Sequence, residues 1–315
     1  MQYIVLDMEW NQAWPGSYSA KRLPMKFRGE VIQIGAVRVT DRQIVGDEFQ
    51  VLIKPKVFRK LNKKVSSLTG IKDAQLAQYG VPFPEAMNRF REWCGEDCVF
   101  LTWGFDDIGI LKENMQLHGL DDTWVDRWYN AQMIFNSQTD GATAQKALKT
   151  AMEMAGVEAT RPAHDALGDA YHTAILCTRL DLVRGMAEYG RSMAEHENGF
   201  HGAEIPGCLD RKVFHGLKDK DEALSLLGGE ENLCPKCRSV MNHGKWVSGQ
   251  NRRYSAMANC EHHGDFLLRV KLISEEGCVK AIRMVYEGDS DAAKSFDAIK
   301  TKVRKRRRRS APKPS

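Results

Sequence analysis

The chain has 315 residues, 43% of them hydrophobic, and a formal charge of +5, enough to bury a full core and to fill two or three structural units. No apolar run approaches the ~18 residues of a membrane span, and a strand-like run begins almost at Met1. Neither a spanning helix nor a secretory leader is therefore expected, and the expected location is cytoplasmic, away from membranes. Cys94, Cys98, Cys177, Cys208 and Cys278 are scattered, which predicts reduced thiols and no disulfide framework.

The opening run, Tyr3-Ile-Val-Leu-Asp-Met-Glu-Trp-Asn-Gln12, reads as a buried strand. Side chains alternate along a strand, so Asp7 and Glu9 leave its end on one face. Two adjacent carboxylates repel each other, and a core offers them nothing in return, whereas divalent cations would bind both. Residues 30–39 and 48–54 read as antiparallel strands joined to the first by a variable loop, and residues 66–71 (Ser-Ser-Leu-Thr-Gly-Ile) as a turn. Residues 83–95 have the pattern of an amphipathic helix stopped by Gly95. A strand over 98–103 ends at Gly104, and a helix begins in the run Phe105-Asp-Asp-Ile.

Residues 143–156 look helical, and Pro162 precedes a long helix in which Leu167, Ala170, Tyr171 and Ala174 form an apolar stripe. Asp169 lies beside that stripe, and His164 stands on the approach to the helix; His172, further along it, reads as structural. The alternation of strands and helices over residues 1–185 predicts an α/β domain. Residues 186–228, with repeated glycines, read as a linker containing a short helical stretch near 219–227.

Further on, Leu233-Cys-Pro-Lys-Cys-Arg238 and Asn259-Cys-Glu-His-His-Gly-Asp-Phe266 hold two ligand pairs separated by 22 residues. This spacing predicts a zinc ribbon over 229–285, each pair on a turn between short strands, with Cys234, Cys237, Cys260 and His263 as ligands and His262 as an alternative fourth. Basic and aromatic residues interleave at Lys245-Trp246, Arg252-Arg253-Tyr254 and Arg269-Val-Lys271, as on a nucleic-acid surface; a purely structural metal staple is the other reading. Residues 300–315 hold nine basic side chains and no acidic one, and setting these aside leaves 37 Lys and Arg against 41 Asp and Glu. A mildly acidic body thus carries a basic arm over 286–315, expected to be disordered and to neutralise phosphates, or simply to aid solubility.

Asp-x-Glu at Asp7 and Glu9, an aspartate within Trp103-Gly-Phe-Asp-Asp-Ile-Gly-Ile-Leu111, and His-x4-Asp at His164 and Asp169 together resemble the motifs of the DEDDh family of 3′→5′ exonucleases. The phrases Glu30-Val-Ile-Gln-Ile-Gly-Ala-Val37 and Leu68-Thr-Gly-Ile71 resemble the same family, and the resemblance covers residues 1–185. Glu-Trp-Asn-Gln at 9–12 and the Trp-Gly of the second motif are most similar to the branch with histone-mRNA, small-RNA and KapD-like exonucleases. Asp106 and Asp107 compete for the second-motif position; the Trp-Gly-x-x-Asp register selects Asp107, with Asp106 free to cap the helix.

The resemblance implies a ribonuclease-H-like fold, a mixed sheet flanked by helices, followed here by the zinc ribbon and the basic tail. It also implies two Mg²⁺ or Mn²⁺ ions, with Asp7 bridging, Glu9 and Asp169 serving one ion, Asp107 completing the set and His164 as general base. Trp10, Leu68 and Thr69 become candidates for wedging against the last base, with core packing as the plainer role. The expected substrate is a single-stranded 3′ end, RNA in preference to DNA, released as nucleoside 5′-monophosphates. A DNA-trimming enzyme and a non-catalytic nucleic-acid adaptor are the rival readings.

Overall fold

The structure is a computed structural model and describes residues 2–12, 27–40, 43–197 and 207–310. Five strands form the sheet of the first unit, Met1–Glu197. β1 (Gln2–Asn11), β2 (Glu30–Thr40) and β3 (Gln43–Leu52) run antiparallel, whereas β4 (Cys98–Thr102) and β5 (Trp128–Asn130) run parallel to β1, giving the order β3-β2-β1-β4-β5. The helices are α1 (Lys63–Thr69), α2 (Asp73–Tyr79), α3 (Phe83–Cys94), α4 (Asp106–Leu117), α5 (Ala131–Gln138), α6 (Leu148–Ala155), α7 (Ala166–Thr178), α8 (Leu182–Ala187) and α9 (Tyr189–Glu197).

The period of two in β1 sorts its side chains between two cores. Ile4, Leu6 and Met8 pack with Phe90 of α3 and with Ile108 and Leu111 of α4. Tyr3 and Val5 pack with Ile134 of α5 and with Ala170 and Ala174 of α7. Both faces of the sheet are thus covered by helices, in the ribonuclease-H-like arrangement expected.

Three local expectations are corrected. Residues 66–69 lie in a helix: Asn62 caps α1 by accepting from the Lys64 N–H, and Gly70, at φ 75°, ends it, so the turn begins only there. The helix expected over 143–156 starts at Leu148, because the Lys146 carbonyl is held by Trp103 Nε1 (3.1 Å) and Gln132 Nε2 (2.6 Å) and Ala147 is extended. The expected boundaries at 185 and 228 also shift. Residues 186–197 complete α8 and α9 of the first unit, and much of the rest of the supposed linker is structure of the second.

The second unit, Asn198–Ser315, is an antiparallel sheet of β6 (Cys208–Leu217), β7 (Asn242–His243), β8 (Val247–Ser248), β9 (Arg253–Cys260), β10 (Gly264–Glu275) and β11 (Cys278–Glu287). Its order is β6-β11-β10-β9-β7, with β8 also paired to β9. It is larger than a ribbon of short strands, because the former linker residues 208–217 pair with β11 across the sheet. α10 (Lys220–Gly228) seats Ala223 and Leu227 on Val270, Leu272 and Ala281. On the other face, α11 (Ser290–Ser310) packs Ala292 and Phe296 with Leu267, Ile282 and Met284.

The tail expected to be disordered over 286–315 is therefore helical to Ser310, its start fixed by apolar side chains that the charge run concealed. Residues 198–206 of the supposed linker and 311–315 of the tail, with Lys313, lie outside the described residues. Arg269 and Lys271 are buried, and Trp246 packs against two apolar clusters, so much of the basic and aromatic interleaving expected at a nucleic-acid surface is internal. Among the described residues no helix is long and apolar enough to cross a membrane.

Candidate active site

Asp7 and Glu9 continue the row of Tyr3 and Val5 beyond the end of the core, both half-buried. β4 ends one strand away, and Gly104, at φ 147°, makes the turn that starts α4. The two aspartates of the first turn then diverge. Asp106 is 69% exposed and pairs with Arg28 at 2.9 Å, whereas Asp107 is 6% exposed and accepts from its own backbone N–H and that of Met8. Asp106 is not the helix cap: Phe105 holds that position without a side-chain bond.

The third segment is positioned by contacts from β2 and β3. Asp165 caps α7, accepting from the Gly168 N–H at 3.1 Å, and is held in turn by Gln33 Nε2 (2.7 Å) and Gln50 Nε2 (3.2 Å). Gly35, opposite Asp7 in the β1–β2 register, lets the first turn of α7 lie on the sheet; a Cβ there would collide with the Ala166 and Leu167 backbone. His164 adopts φ 59°, a left-handed conformation, and its backbone N–H donates to Asp169 Oδ2 at 2.9 Å. His172 is buried, and its Nε2 accepts from the Thr160 N–H at 3.1 Å.

These segments bring ligand atoms of Glu9, His164 and Asp169 within 4.8 Å of one another. Burial pushes Asp7 well above the usual carboxylate range, and the charges of Asp107, Asp169 and Glu9 push it further. Burial, then Asp169 and Asp107, raise Glu9 to about 8. Burial also raises Asp107 to about 7 in spite of its two backbone donors, and raises Asp169 against the N–H of His164. Four clustered carboxylates, each held above its usual range chiefly by burial, are a hard-oxygen donor set for divalent cations, which would take the place of the protons.

The cluster opens into a cleft of about 660 Å³. Trp10, Leu68 and Thr69 line the same cleft. Leu68 is 56% exposed, so it is not a core residue. Thr69 uses its hydroxyl locally, donating to the Val65 carbonyl (3.0 Å) and accepting from the Ile71 N–H (3.1 Å). Sequence reasoning missed other lining residues, among them Lys64, Phe105, Gln132 and Lys146. It also missed the positioning pair Gln33 and Gln50; Gln33, a polar side chain inside the apolar run Val31-Ile-Gln-Ile34, was the available signal.

In the second unit, Cys234, Cys237, Cys260 and His263 bring one ligand atom each within 4.8 Å of the others. Cys237 Sγ to Cys260 Sγ is 3.6 Å, and His263 Nδ1 lies 3.7 Å from both Cys234 Sγ and Cys260 Sγ. A tetrahedron with metal–sulfur bonds of about 2.3 Å has edges of about 3.8 Å, so the spacing fits one metal ion. Each pair sits on a tight turn, closed by Arg238 N–H to the Cys234 carbonyl (2.9 Å) and His263 N–H to the Cys260 carbonyl (3.2 Å). Donation from the Ser239 hydroxyl and backbone lowers Cys237 to about 6, favouring the thiolate that a metal binds.

Bacillus subtilis KapD, named a probable 3′-5′ exonuclease, is 27% identical over 168 residues, which cover 53% of this chain and 78% of KapD. Human ERI1 exoribonuclease 2 is 23% identical over 180 residues, 48% of this chain but only 25% of its own length. Among solved structures, the nuclease domain of 3′hExo, a DEDDh family member bound to rAMP, aligns with a TM-score of 0.49 at 21% identity, covering 56% of this chain and 90% of that one. The sequence model of the RNase T family, described as exonuclease, matches residues 4–177, from the first strand of the sheet almost to the end of the helix that bears Asp169. This chain belongs to the RNase T exonuclease family.

Proposed function

We propose that the chain is a metal-dependent DEDDh exonuclease that removes nucleoside 5′-monophosphates one at a time from the 3′ end of single-stranded nucleic acid, RNA in preference to DNA. The observation that carries this is the meeting of Asp7, Glu9, Asp107, His164 and Asp169, from three separate segments, in one cleft beside Leu68 and Trp10. The exoribonuclease name of one relative supports the RNA preference.

Asp7, Glu9, Asp107 and Asp169 would hold two Mg²⁺ or Mn²⁺ ions, which when bound lower the pKa of water and offset charge on the phosphate. His164, exposed at the cleft on a backbone fixed to Asp169, takes the proton of the attacking water. The water oxygen bonds to phosphorus, the bond from phosphorus to the preceding 3′ oxygen breaks, and that oxygen leaves with a proton as a new 3′ hydroxyl. Leu68 and the Trp10 ring form an apolar shelf for the last base, which accepts any base because each has a flat face. Cys234, Cys237, Cys260 and His263 would hold one structural Zn²⁺, and the basic end of α11 would help to retain the strand.

The test is a time course on matched 5′-labelled RNA and DNA oligonucleotides with Mn²⁺. Ladders that shorten from the 3′ end, with RNA consumed faster, are expected. Faster loss of DNA overturns the RNA preference, and no shortening of either strand overturns the exonuclease reading.

A further inference from the structure

A second cavity in the first unit, of about 470 Å³, lies outside the acidic cleft. Lys54, Lys56 and Arg59 line it, above Pro82 and a ring pair in which Phe83 stacks on His118 at 5.0 Å and 21°. Asp73 is the carboxylate in its lining, and it is engaged by the Leu61 N–H at 3.0 Å. The three cations open a stretch, residues 54–64, in which Lys54, Lys56, Arg59, Lys60, Lys63 and Lys64 are all exposed and no acidic residue intervenes. Among the described residues none of the six is paired with a carboxylate, although ion pairs are common elsewhere in the unit. Six unpaired cations in eleven residues, all in solvent, make a concentrated positive surface that attracts anionic partners, most strongly at low salt.

The backbone beneath these side chains is fixed to the sheet. The Glu30 carboxylate accepts from the N–H groups of Lys56 (2.5 Å), Val57 (2.9 Å) and Phe58 (2.6 Å). Asn11 Nδ2 donates to the Phe58 and Lys60 carbonyls at 2.9 and 3.0 Å, and its Oδ1 accepts from the Asn62 N–H at 2.9 Å. Asn11 belongs to β1, the strand that carries Asp7 and Glu9. At the far end of the stretch Lys64 lines the acidic cleft. One anchored segment therefore joins the basic cavity to the site of cleavage.

We propose that residues 54–64 are a cationic track along which the phosphodiester backbone of a single strand enters the cleft, with the second cavity as an upstream nucleotide subsite. A base stacks on the Phe83–His118 pair, and Lys54, Lys56 and Arg59 take its phosphates. Arg59 and Lys64 are at most about 18 Å apart along the chain. A stacked strand spaces its phosphates by about 3.4 Å, so about five nucleotides are enough to reach from one end to the other. This inference rests on the exonuclease reading for its strand, and its test separates the two.

The full chain carrying Lys54→Ala, Lys56→Ala and Arg59→Ala together is compared with the unaltered protein in two ways. Fluorescence anisotropy of a labelled single-stranded oligonucleotide, without divalent metal, reads affinity independently of cleavage. Loss of three phosphate contacts should weaken binding about tenfold and reduce the slope of log affinity against log salt by about 2. Hydrolysis of a dinucleotide, which the acidic cleft can hold without the second cavity, should be unchanged, while KM for the long strand rises by a similar factor with kcat preserved. Equal affinity and equal salt slope in the two proteins overturn the track, including in a protein that cuts nothing. A variant that loses dinucleotide hydrolysis as well overturns it too, because the three side chains would then act on the cleft itself.

Discussion

The two ligand clusters of this chain are built on opposite terms. The acidic cluster gathers carboxylates from β1, α4 and α7 at the mouth of an open cleft, where burial and the charges of Asp107 and Asp169 raise both Asp7 and Glu9. The Cys3His cluster packs its four ligand atoms at tetrahedral distances on two tight turns, with Cys234 and Cys260 buried. An open, self-repelling site leaves room for substrate to complete it, whereas a closed one has no vacant position and can only brace the fold. The difference lies in exposure and geometry, and either can be changed by substitution.

The largest effect is expected at the acidic cluster. Asp7→Asn should reduce mononucleotide release at least about a thousandfold while leaving the metal-free melting temperature unchanged or raised, since a repelling charge has gone. A clear fall in the metal-free melting temperature would show that Asp7 braces the fold, and the contrast would fail. The opposite profile is expected of Cys260→Ser. Tightly bound zinc should be lost and the second unit should melt earlier by about 3 kcal/mol or more, with dinucleotide hydrolysis retained; metal analysis and calorimetry on the same sample decide this.

Gly35→Ala sharpens the comparison from the scaffold side. Its Cβ must push the first turn of α7 off the sheet, carrying Asp169 from Asp7, so a rate loss of about a hundredfold is expected with the second unit's melting unaltered. An enzyme of normal activity would show that α7 needs no such close approach. The smallest effect is in pH dependence. Glu9 near 8 and Asp107 near 7 in the folded chain lie above their unfolded values, so the fold takes up protons that the unfolded chain releases. Metal-free stability should therefore decline as pH rises from about 5 to about 8, and saturating Mn²⁺ should flatten the decline by replacing those protons. Thermal melts in chelator and in Mn²⁺ across that range measure it; identical slopes would count against a cation site.

The features legible in the sequence were those with a local signature. Alternation alone placed Asp7 and Glu9 on one face, motif register separated Asp107 from Asp106, and two-residue gaps marked the Cys and His turns. Features that depended on distant partners were not legible. Gln33 and Gln50 matter because Asp165, over a hundred residues later, comes to lie beside them. Residues 143–147 have helical composition, yet Trp103 and Gln132 claim the Lys146 carbonyl first. The segment 208–217 lacks strong alternation and becomes a strand because β11 offers it an edge. Charge also misled: Ala292 and Phe296 are enough to dock a helix whose far end is almost wholly basic.

The left-handed backbone at His164 has a consequence for how substitutions nearby are interpreted. A non-glycine residue at φ 59° is strained by about 1–2 kcal/mol, and here the opposing bond runs from its own N–H to Asp169. Removing the Asp169 carboxylate would thus take away the acceptor that holds the His164 backbone as well as the proposed oxygen ligand, and the imidazole two residues before α7 would lose that anchor. An alanine scan that scores each acidic residue as one independent vote will overcount position 169. The loss there belongs to two groups at once, and only a double substitution with His164 can apportion it.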